Sequence, residues 1–287
     1  MRTTLWRRSL QVALLVAVSA PASWAGDGRD PRGGVRRDGP LGSLAQDALD
    51  RARGAGGHDD GGEMPFSVAN VFFELNETDS DLGIHALIDG EPWKTLEIET
   101  PNGRENLAIR LSGSLRQQGL TELFFESAEP PFDVLDPEKF FRRFPEGEYE
   151  IEGTLVGGGE LESTDQVTHL IPAPAENIAV NGMATPEDCE EGPVPVVGAP
   201  FVITWDEVTH SHSELGRTDE PIEVVNYEVV IEREEPALKF TIIVDPSVTQ
   251  VTIPAGLTGS GDRIKLEVLV EEESGNQTAI ETCFEVD

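Results

Sequence analysis

The sequence predicts an all-β protein built from two β-sandwich domains in tandem. From Phe66 to the C-terminus, apolar and polar residues alternate in short runs, and this period of two is typical of half-buried strands. Turn signals such as "TPNG" and "VGGGE" separate the runs. A single segment, "DPEKFFRRFPEG", has the pattern of a helix instead.

The N-terminal 25 residues have the layout of a secretory signal peptide. Arginines precede an apolar run from Leu10 to Ala20, and the small residues Ser23 and Ala25 mark a cleavage site after Ala25. No other stretch approaches the roughly 18 to 20 apolar residues that span a bilayer. We therefore expect a secreted or periplasmic protein that does not insert into a membrane.

Residues 26–62 are rich in Gly, Asp and Arg and contain few apolar side chains. Such a segment cannot offset the entropy of ordering, so we interpret it as a disordered leader. The first sandwich domain is then predicted over residues 63–175, a proline-containing linker over 176–185, and the second domain over 186–287.

The first domain is predicted to hold about seven strands and one short helix. Asp136 is a plausible N-cap, Pro137 suits the first helical position, and three phenylalanines form an apolar face. We expect this helix to lead into a strand at Tyr149 and to close one open end of the sandwich.

In the second domain, alternate apolar residues define the core face of each strand. Because these faces can meet only if two sheets stack about 10 Å apart, they predict a sandwich core. The predicted core residues are Phe201, Ile203, Trp205, Val225, Tyr227, Val229, Ile231, Phe240, Ile242, Val244, Ile264, Leu266, Val268 and Val270.

The second domain resembles a fibronectin type III domain over roughly 100 residues. The resemblance rests on "PFVITWDEVT" with its buried tryptophan, "IEVVNYEVVIE", "VTIPAGLTGSGDRIKLEVLVEEESGNQT" and "AIETCFEVD". The family usually has a tyrosine at the head of the sixth strand, where this chain has Ile264. The first domain looks immunoglobulin-like by strand count.

Cys189 and Cys283 are the two cysteines of the chain. In this architecture the start of the domain and its last strand run close together, and an exported chain with two cysteines has one intramolecular pairing available. We therefore expect a disulfide; two free thiols and an intermolecular bridge are the alternatives. Alternation along the last strand points Cys283 away from the core.

Two loops offer candidate metal ligands. Asp79, Asp81 and Asp89 belong to a segment rich in oxygen donors and are candidate calcium ligands, with a solvated turn as the alternative. His210 and His212 lie on a long loop and could bind a transition metal or contribute to recognition. The alternative is that they simply face water.

Trp93 is a candidate for stacking on a sugar, and a place in the core is the alternative. The sequence contains no nucleophile elbow, phosphate-binding glycine loop or zinc-protease motif, so we expect no enzymatic activity.

The net charge of -33 favours a monomer and disfavours nucleic acids and anionic membranes as partners. An acidic surface suited to a salty medium would explain the same charge. We expect a non-catalytic module that binds a protein or glycan through end loops or a sheet edge. The alternative is a structural spacer or envelope-associated scaffold; no cofactor is expected, with calcium as the one candidate ion.

Overall fold

The alternating runs of the sequence form β-strands in the computed structural model, which describes residues 64–186, 189 and 193–287. The predicted signal peptide, residues 1–25, and the predicted leader, residues 26–62, lie outside the described residues. Within the described ranges, no helix is long and apolar enough to cross a membrane.

The N-terminal half, residues 64–172, folds as two packed layers that share one long strand. The first part of β2 pairs with β1 and β4, and its second part pairs with β3 and β5. The alternating runs "GIHALIDG" and "WKTLEIET" each have the pattern of a separate strand, but both belong to β2, which runs without a break. The strands are β1 (Val68–Asn76), β2 (Asp81–Glu99), β3 (Glu105–Arg110), β4 (Leu120–Glu126), β5 (Gly147–Leu155) and β6 (Glu160–Val167).

Two short helices connect these strands. The predicted helix is confirmed as α2 (Pro137–Arg143), in which Asp136 accepts a hydrogen bond from the Lys139 amide and Phe140 enters the core. The hydroxyl of Tyr149 donates to the Pro145 carbonyl 3.2 Å away, which fixes the turn from this helix into β5. The other helix, α1 (Gly113–Gln118), buries no side chain, so it has no apolar face that periodicity could reveal.

The C-terminal half, residues 173–287, is a sandwich of two facing sheets. One has the order β13-β10-β7-β8, and the other runs β12-β11-β14-β15 with β9 beside β15. A core rich in valine and isoleucine fills the space between them. The strands are β7 (Ala179–Val180), β8 (Met183–Ala184), β9 (Val196–Val197), β10 (Phe201–Thr204), β11 (Val224–Arg233), β12 (Leu238–Val244), β13 (Gln250–Ile253), β14 (Arg263–Glu272) and β15 (Gln277–Val286).

Two details of this half correct the predictions. A register shift between Val224 and Asn226 turns Val225 outward, although strict alternation predicted it in the core. The predicted linker, residues 176–185, instead carries β7 and β8, because β7 pairs with β10 and adds Val180 to the core.

The two halves are joined by a continuous sheet. β15 pairs with β14 on one edge, and on the other edge its first residues pair in parallel with the end of β1. The result is an eleven-stranded sheet whose main path is β12-β11-β14-β15-β1-β2-β5-β6. The predicted sandwiches therefore share backbone hydrogen bonds.

Candidate functional site: an acidic face across the joined halves

One face of the shared sheet carries a run of carboxylates. Residues in direct register on neighbouring strands share a face, so Val230, Glu267 and Glu281 point to the same side. β1 continues that side, because Glu74 lies opposite Gln277 of β15. This side is turned away from the C-terminal core. We define the outer acidic face as the six residues Glu74, Glu228, Glu232, Glu267, Glu271 and Glu281.

Glu267 lies in the middle of the outer acidic face and is only 9% exposed. Burial raises its pKa to about 8, and the negative charges of Glu281 and Glu74 contribute to the increase. The nearest cation, Lys265, is already engaged, because its Nζ lies 2.7 Å from Oε1 of Glu281. Glu267 therefore holds a proton at neutral pH. A further cation placed next to it would favour its ionised form instead.

Lysines balance only part of this charge. Besides Lys265, this side of the sheet carries Lys239, whose Nζ lies 3.1 Å from Oε1 of Glu232. Burial also raises the pKa values of Glu228 and Glu271. The six carboxyl groups thus outnumber the two lysines on this side of the sheet.

A buried histidine extends the charged cluster into the N-terminal half. His85 is 2% exposed, and its Nε2 donates a hydrogen bond to Oε1 of Glu129 at 2.9 Å. Its Nδ1 lies 3.7 Å from Oε2 of Glu74 and has no hydrogen-bond partner among the described residues. The rings of Phe72 and Phe124 pack against the imidazole, with centroids 5.3 and 6.0 Å away.

Glu74 and His85 influence each other's protonation. Burial raises the pKa of Glu74 to about 7, although the neighbouring imidazole opposes this increase. Burial disfavours a charge on His85, but the hydrogen bond to Glu129 and the charge of Glu74 outweigh it and raise the histidine pKa. A carboxyl group and an imidazole whose pKa values are both raised therefore lie close together at the boundary between the halves.

The same side of the sheet carries apolar surface. Val230, Leu269 and Ala279 form a small buried cluster between the carboxylates. Towards the edge, Ile243 lies opposite Glu228 and is 51% exposed. A partner that covers this side would therefore meet both charge and apolar side chains.

Asn276 ties the last hairpin to the N-terminal half. Its Oδ1 accepts a hydrogen bond from the amide of Phe73 at 2.8 Å. Its Nδ2 donates to the carbonyl oxygens of Thr168 and Leu170 at 3.0 and 3.1 Å. Because this side chain is 1% exposed, its hydrogen bonds stand in place of water for all three backbone groups.

The histidine loop, predicted as a metal or recognition site, packs on the N-terminal half instead. Nδ1 of His212 accepts hydrogen bonds from the amides of Glu214 and Leu215, and its Nε2 donates to Glu77 at 3.2 Å. Both ring nitrogens are engaged, so neither offers a lone pair to a metal. His210 is exposed, and its Nδ1 forms a hydrogen bond with the hydroxyl of Thr209. The two histidines therefore have different partners.

The three aspartates predicted as calcium ligands do not lie together. Asp79 lies in the exposed turn between β1 and β2, and Asp81 is buried at the start of β2. Asp89 lies eight positions further along the same strand, about 26 Å away at the usual rise of a strand. Within the described ranges, no group of three His, Cys, Asp or Glu side chains is placed to hold a metal ion.

Trp93 takes the place in the core that is the alternative to a sugar-binding surface. Its side chain has no exposed area and belongs to the N-terminal core, so the ring cannot stack on a glycan. Trp205 lies in the C-terminal core as expected, with its ring 5.4 Å from that of Tyr227.

The disulfide between Cys189 and Cys283 is confirmed, with the two Cα atoms 5.8 Å apart. Alternation places Cys283 on the side away from the core, yet it is buried. The disulfide fastens the residues before β9 to the last strand of the sandwich.

Sequence reasoning missed the central residues of the outer acidic face. Because Ile264, Leu266 and Val268 face the core, alternation in "IKLEVLV" puts Glu267 on the opposite side, where it lies. Alternation could not show that β11, β15 and β1 would surround Glu267 and remove it from water. Asn276 belongs to the "SGNQT" hairpin, and its position directly after Gly275 is the one sequence feature that sets it apart.

The fold defines a β-sandwich protein, and its C-terminal half has the two facing sheets that the resemblance to fibronectin type III domains implies. No protein-family model matches the chain, and no curated protein matches it.

Among solved structures, the chain is similar to the FN1–FN3 domains of chicken CNTN1 (11% identity, TM-score 0.31, 78% of this chain and 69% of that one). It is also similar to a two-domain fibronectin type III segment of chicken tenascin (10%, 0.28, 76% and 97%) and to domains A168–A170 of titin (13%, 0.25, 77% and 67%). These similarities concern the fold alone.

Proposed function

We propose that this protein is a secreted or periplasmic, non-catalytic module that binds a basic protein partner through the outer acidic face. The observation that carries the proposal is Glu267, a carboxyl group in the middle of a sheet, 9% exposed and flanked by Glu281 and Glu74. Burying carboxyl groups side by side costs stability, and such perturbed groups cluster at functional sites.

A lysine or arginine from a partner would relieve this repulsion. Its charge would favour the ionised forms of Glu267 and Glu74, and its aliphatic stem would cover Ile243, which is 51% exposed on the same side of the sheet. The junction supports the same proposal, because it makes the outer acidic face continuous across both halves. Export is supported by the signal-like N-terminus and by the disulfide.

Binding of octalysine to two matched double variants tests the proposal. At pH 9, above the pKa of about 8 at Glu267, Glu228→Gln with Glu267→Gln removes two charges from the outer acidic face. Glu97→Gln with Glu152→Gln removes two charges from a cross-strand pair of exposed glutamates on the N-terminal half. Because both variants have the same net charge, general attraction to a polycation affects them equally.

The first variant should lose about fivefold in affinity, since two charge pairs of roughly 0.5 kcal/mol each correspond to that ratio. The second should lose less than about twofold. Equal losses in fluorescence anisotropy titrations would show that the position of the charges is irrelevant and would contradict the proposal.

A structural spacer is the second candidate function, and the junction favours it. Hydrogen bonds between β1 and β15 hold the two halves at a constant separation. A spacer needs this rigidity but no particular charge at Glu267. Two results together would therefore favour the spacer. The two variants would bind octalysine equally well, and the Phe73 amide at the junction would stay protected from hydrogen exchange in both.

A further inference from the structure

β12 (Leu238–Val244) ends the shared sheet. Among the described residues it pairs with β11 alone, so the backbone groups on its other edge meet no further strand. Such an edge is a template for another strand, and proteins usually protect it with charged side chains, prolines, bulges or a short strand.

β12 lacks most of these protections. It has seven residues, pairs with β11 without a bulge, and contains neither proline nor an acidic residue. Its one charged side chain, Lys239, is engaged by Glu232. By contrast, β6 at the other end of the sheet path carries Glu160, Glu162 and Asp165. The chain has 54 acidic residues among 287, yet β12 has none. β12 therefore lacks the negative charges that protect β6.

Both faces of β12 offer apolar surface to an incoming strand. Ile243 is half-exposed on the outer side, beside Glu228. On the inner side, Phe240 and Ile242 pack against the C-terminal core but are only partly buried. A strand added at this edge would cover apolar side chains on both faces of the sheet.

The surrounding charge indicates the chemistry of that strand. Glu228 and Glu232 lie on the neighbouring strand β11, and Glu234 and Glu235 are exposed in the turn that leads to β12. A strand with lysine or arginine on its outer side would be attracted to these carboxylates. A second copy of this chain would be repelled, because each copy carries a net charge of -33.

We propose that an extended, lysine- or arginine-bearing segment of another protein adds to the free edge of β12 as a further strand of the shared sheet. The segment gains main-chain hydrogen bonds from the edge, and its alternate side chains contact the outer acidic face on one side and apolar surface on the other. This inference rests on the proposed function, since it names how the basic partner is held.

Two peptides of equal charge separate backbone pairing from charge attraction. One is an eight-residue peptide of alternating lysine and valine, and the other has the same sequence with every second amide N-methylated. The unmodified peptide should bind at least tenfold more tightly, because the modified one cannot form the full ladder with β12. Its binding should also slow hydrogen exchange at backbone amides of β12 and leave those of β6 unchanged.

A pair of exposed apolar positions provides the protein variants. Ile243→Lys places a repelling charge on the edge, whereas Val134→Lys adds the same charge at an exposed position outside β12. We expect Ile243→Lys to weaken binding of the unmodified peptide at least fivefold and Val134→Lys to leave it within twofold.

The results distinguish this inference from the proposed function. Equal binding of the two peptides, or no protection of β12, overturns strand addition, while selective weakening by Glu228→Gln with Glu267→Gln would still support the acidic face. Protection of β12 without any effect of that double variant supports strand addition and overturns the acidic face. Dimerisation of the protein alone through β12, seen by sedimentation, would identify a second copy as the occupant and overturn the inference.

Discussion

The two ends of β15 are held in different ways. At its start, Gln277–Ala279 pairs with β1, and the preceding Asn276 bonds to backbone groups of the N-terminal half. At its end, β15 pairs with β9, and Cys283 is bonded to Cys189 within the C-terminal half. One end therefore joins the two halves by hydrogen bonds, and the other closes a single sandwich by a covalent bond.

This difference separates stability from rigidity. The disulfide acts largely by restricting the unfolded chain, and its effect does not require the N-terminal half. The hydrogen bonds of Asn276 exist only when both halves are folded against each other. Removing the disulfide and removing Asn276 should therefore differ in two respects. They should lower the free energy of unfolding by different amounts, and they should expose different backbone amides to hydrogen exchange.

The largest effect is expected from Cys189→Ser with Cys283→Ser. The disulfide links residues 94 positions apart, so its loss should lower the free energy of unfolding by about 4 kcal/mol in urea titrations. The amide of Phe73 should stay protected from hydrogen exchange in the folded variant, because the junction is intact. The wild type in a reducing agent should match the variant; loss of protection at Phe73 would contradict the separation of the two ends.

Asn276→Ala should cost about 3 kcal/mol, because it leaves the Phe73 amide and two buried carbonyl groups without partners. Here hydrogen exchange at Phe73 should accelerate more than exchange in the C-terminal core. Asn102→Ala is the matched control, since Asn102 lies in an exposed turn, and it should change stability by less than about 0.5 kcal/mol. Uniform acceleration across both halves would mean that Asn276 does not act at the junction.

The next effect depends on pH and acts beside the junction. The pKa of Glu267 rises from 4.5 to about 8 on folding, so its contribution to stability is fully present below pH 4.5 and is lost as the pH rises through about 8. Glu267→Gln cannot ionise, so its advantage over the wild type should increase as the pH rises from 4 to 9, with most of the increase between pH 4.5 and about 8.

Urea titrations across this pH range measure the change, with Glu97→Gln, at an exposed position, as the control. If the Glu267→Gln and wild-type curves ran parallel, the carboxyl group of Glu267 would not be the one that titrates.

The smallest effect is expected from calcium. Asp79, Asp81 and Asp89 do not converge, so millimolar calcium should move the thermal midpoint by less than about 1 °C relative to magnesium at equal ionic strength. A shift of several degrees with calcium alone would show that other carboxylates, such as those of the outer acidic face, bind the ion.

Most individual strands could be predicted because alternation is local. The pattern in "FVITW" placed Phe201, Ile203 and Trp205 in the core, and the capping and apolar signals around Asp136 located α2. The candidate site was harder to predict from the sequence. Alternation puts Glu267 on the side away from the core, but its raised pKa depends in part on the charge of Glu74, which lies far away in the sequence.

The sequence by itself determined most of the strands, the apolar side of most of them, and the one pair of cysteines available for a disulfide. These properties follow from side-chain identity and a period of two. Only the tertiary structure decided that β1 pairs with β15, so that one sheet runs through both halves. The physical reason is that edge pairing uses backbone N–H and C=O groups, which are the same in nearly every residue and so leave little trace in the sequence.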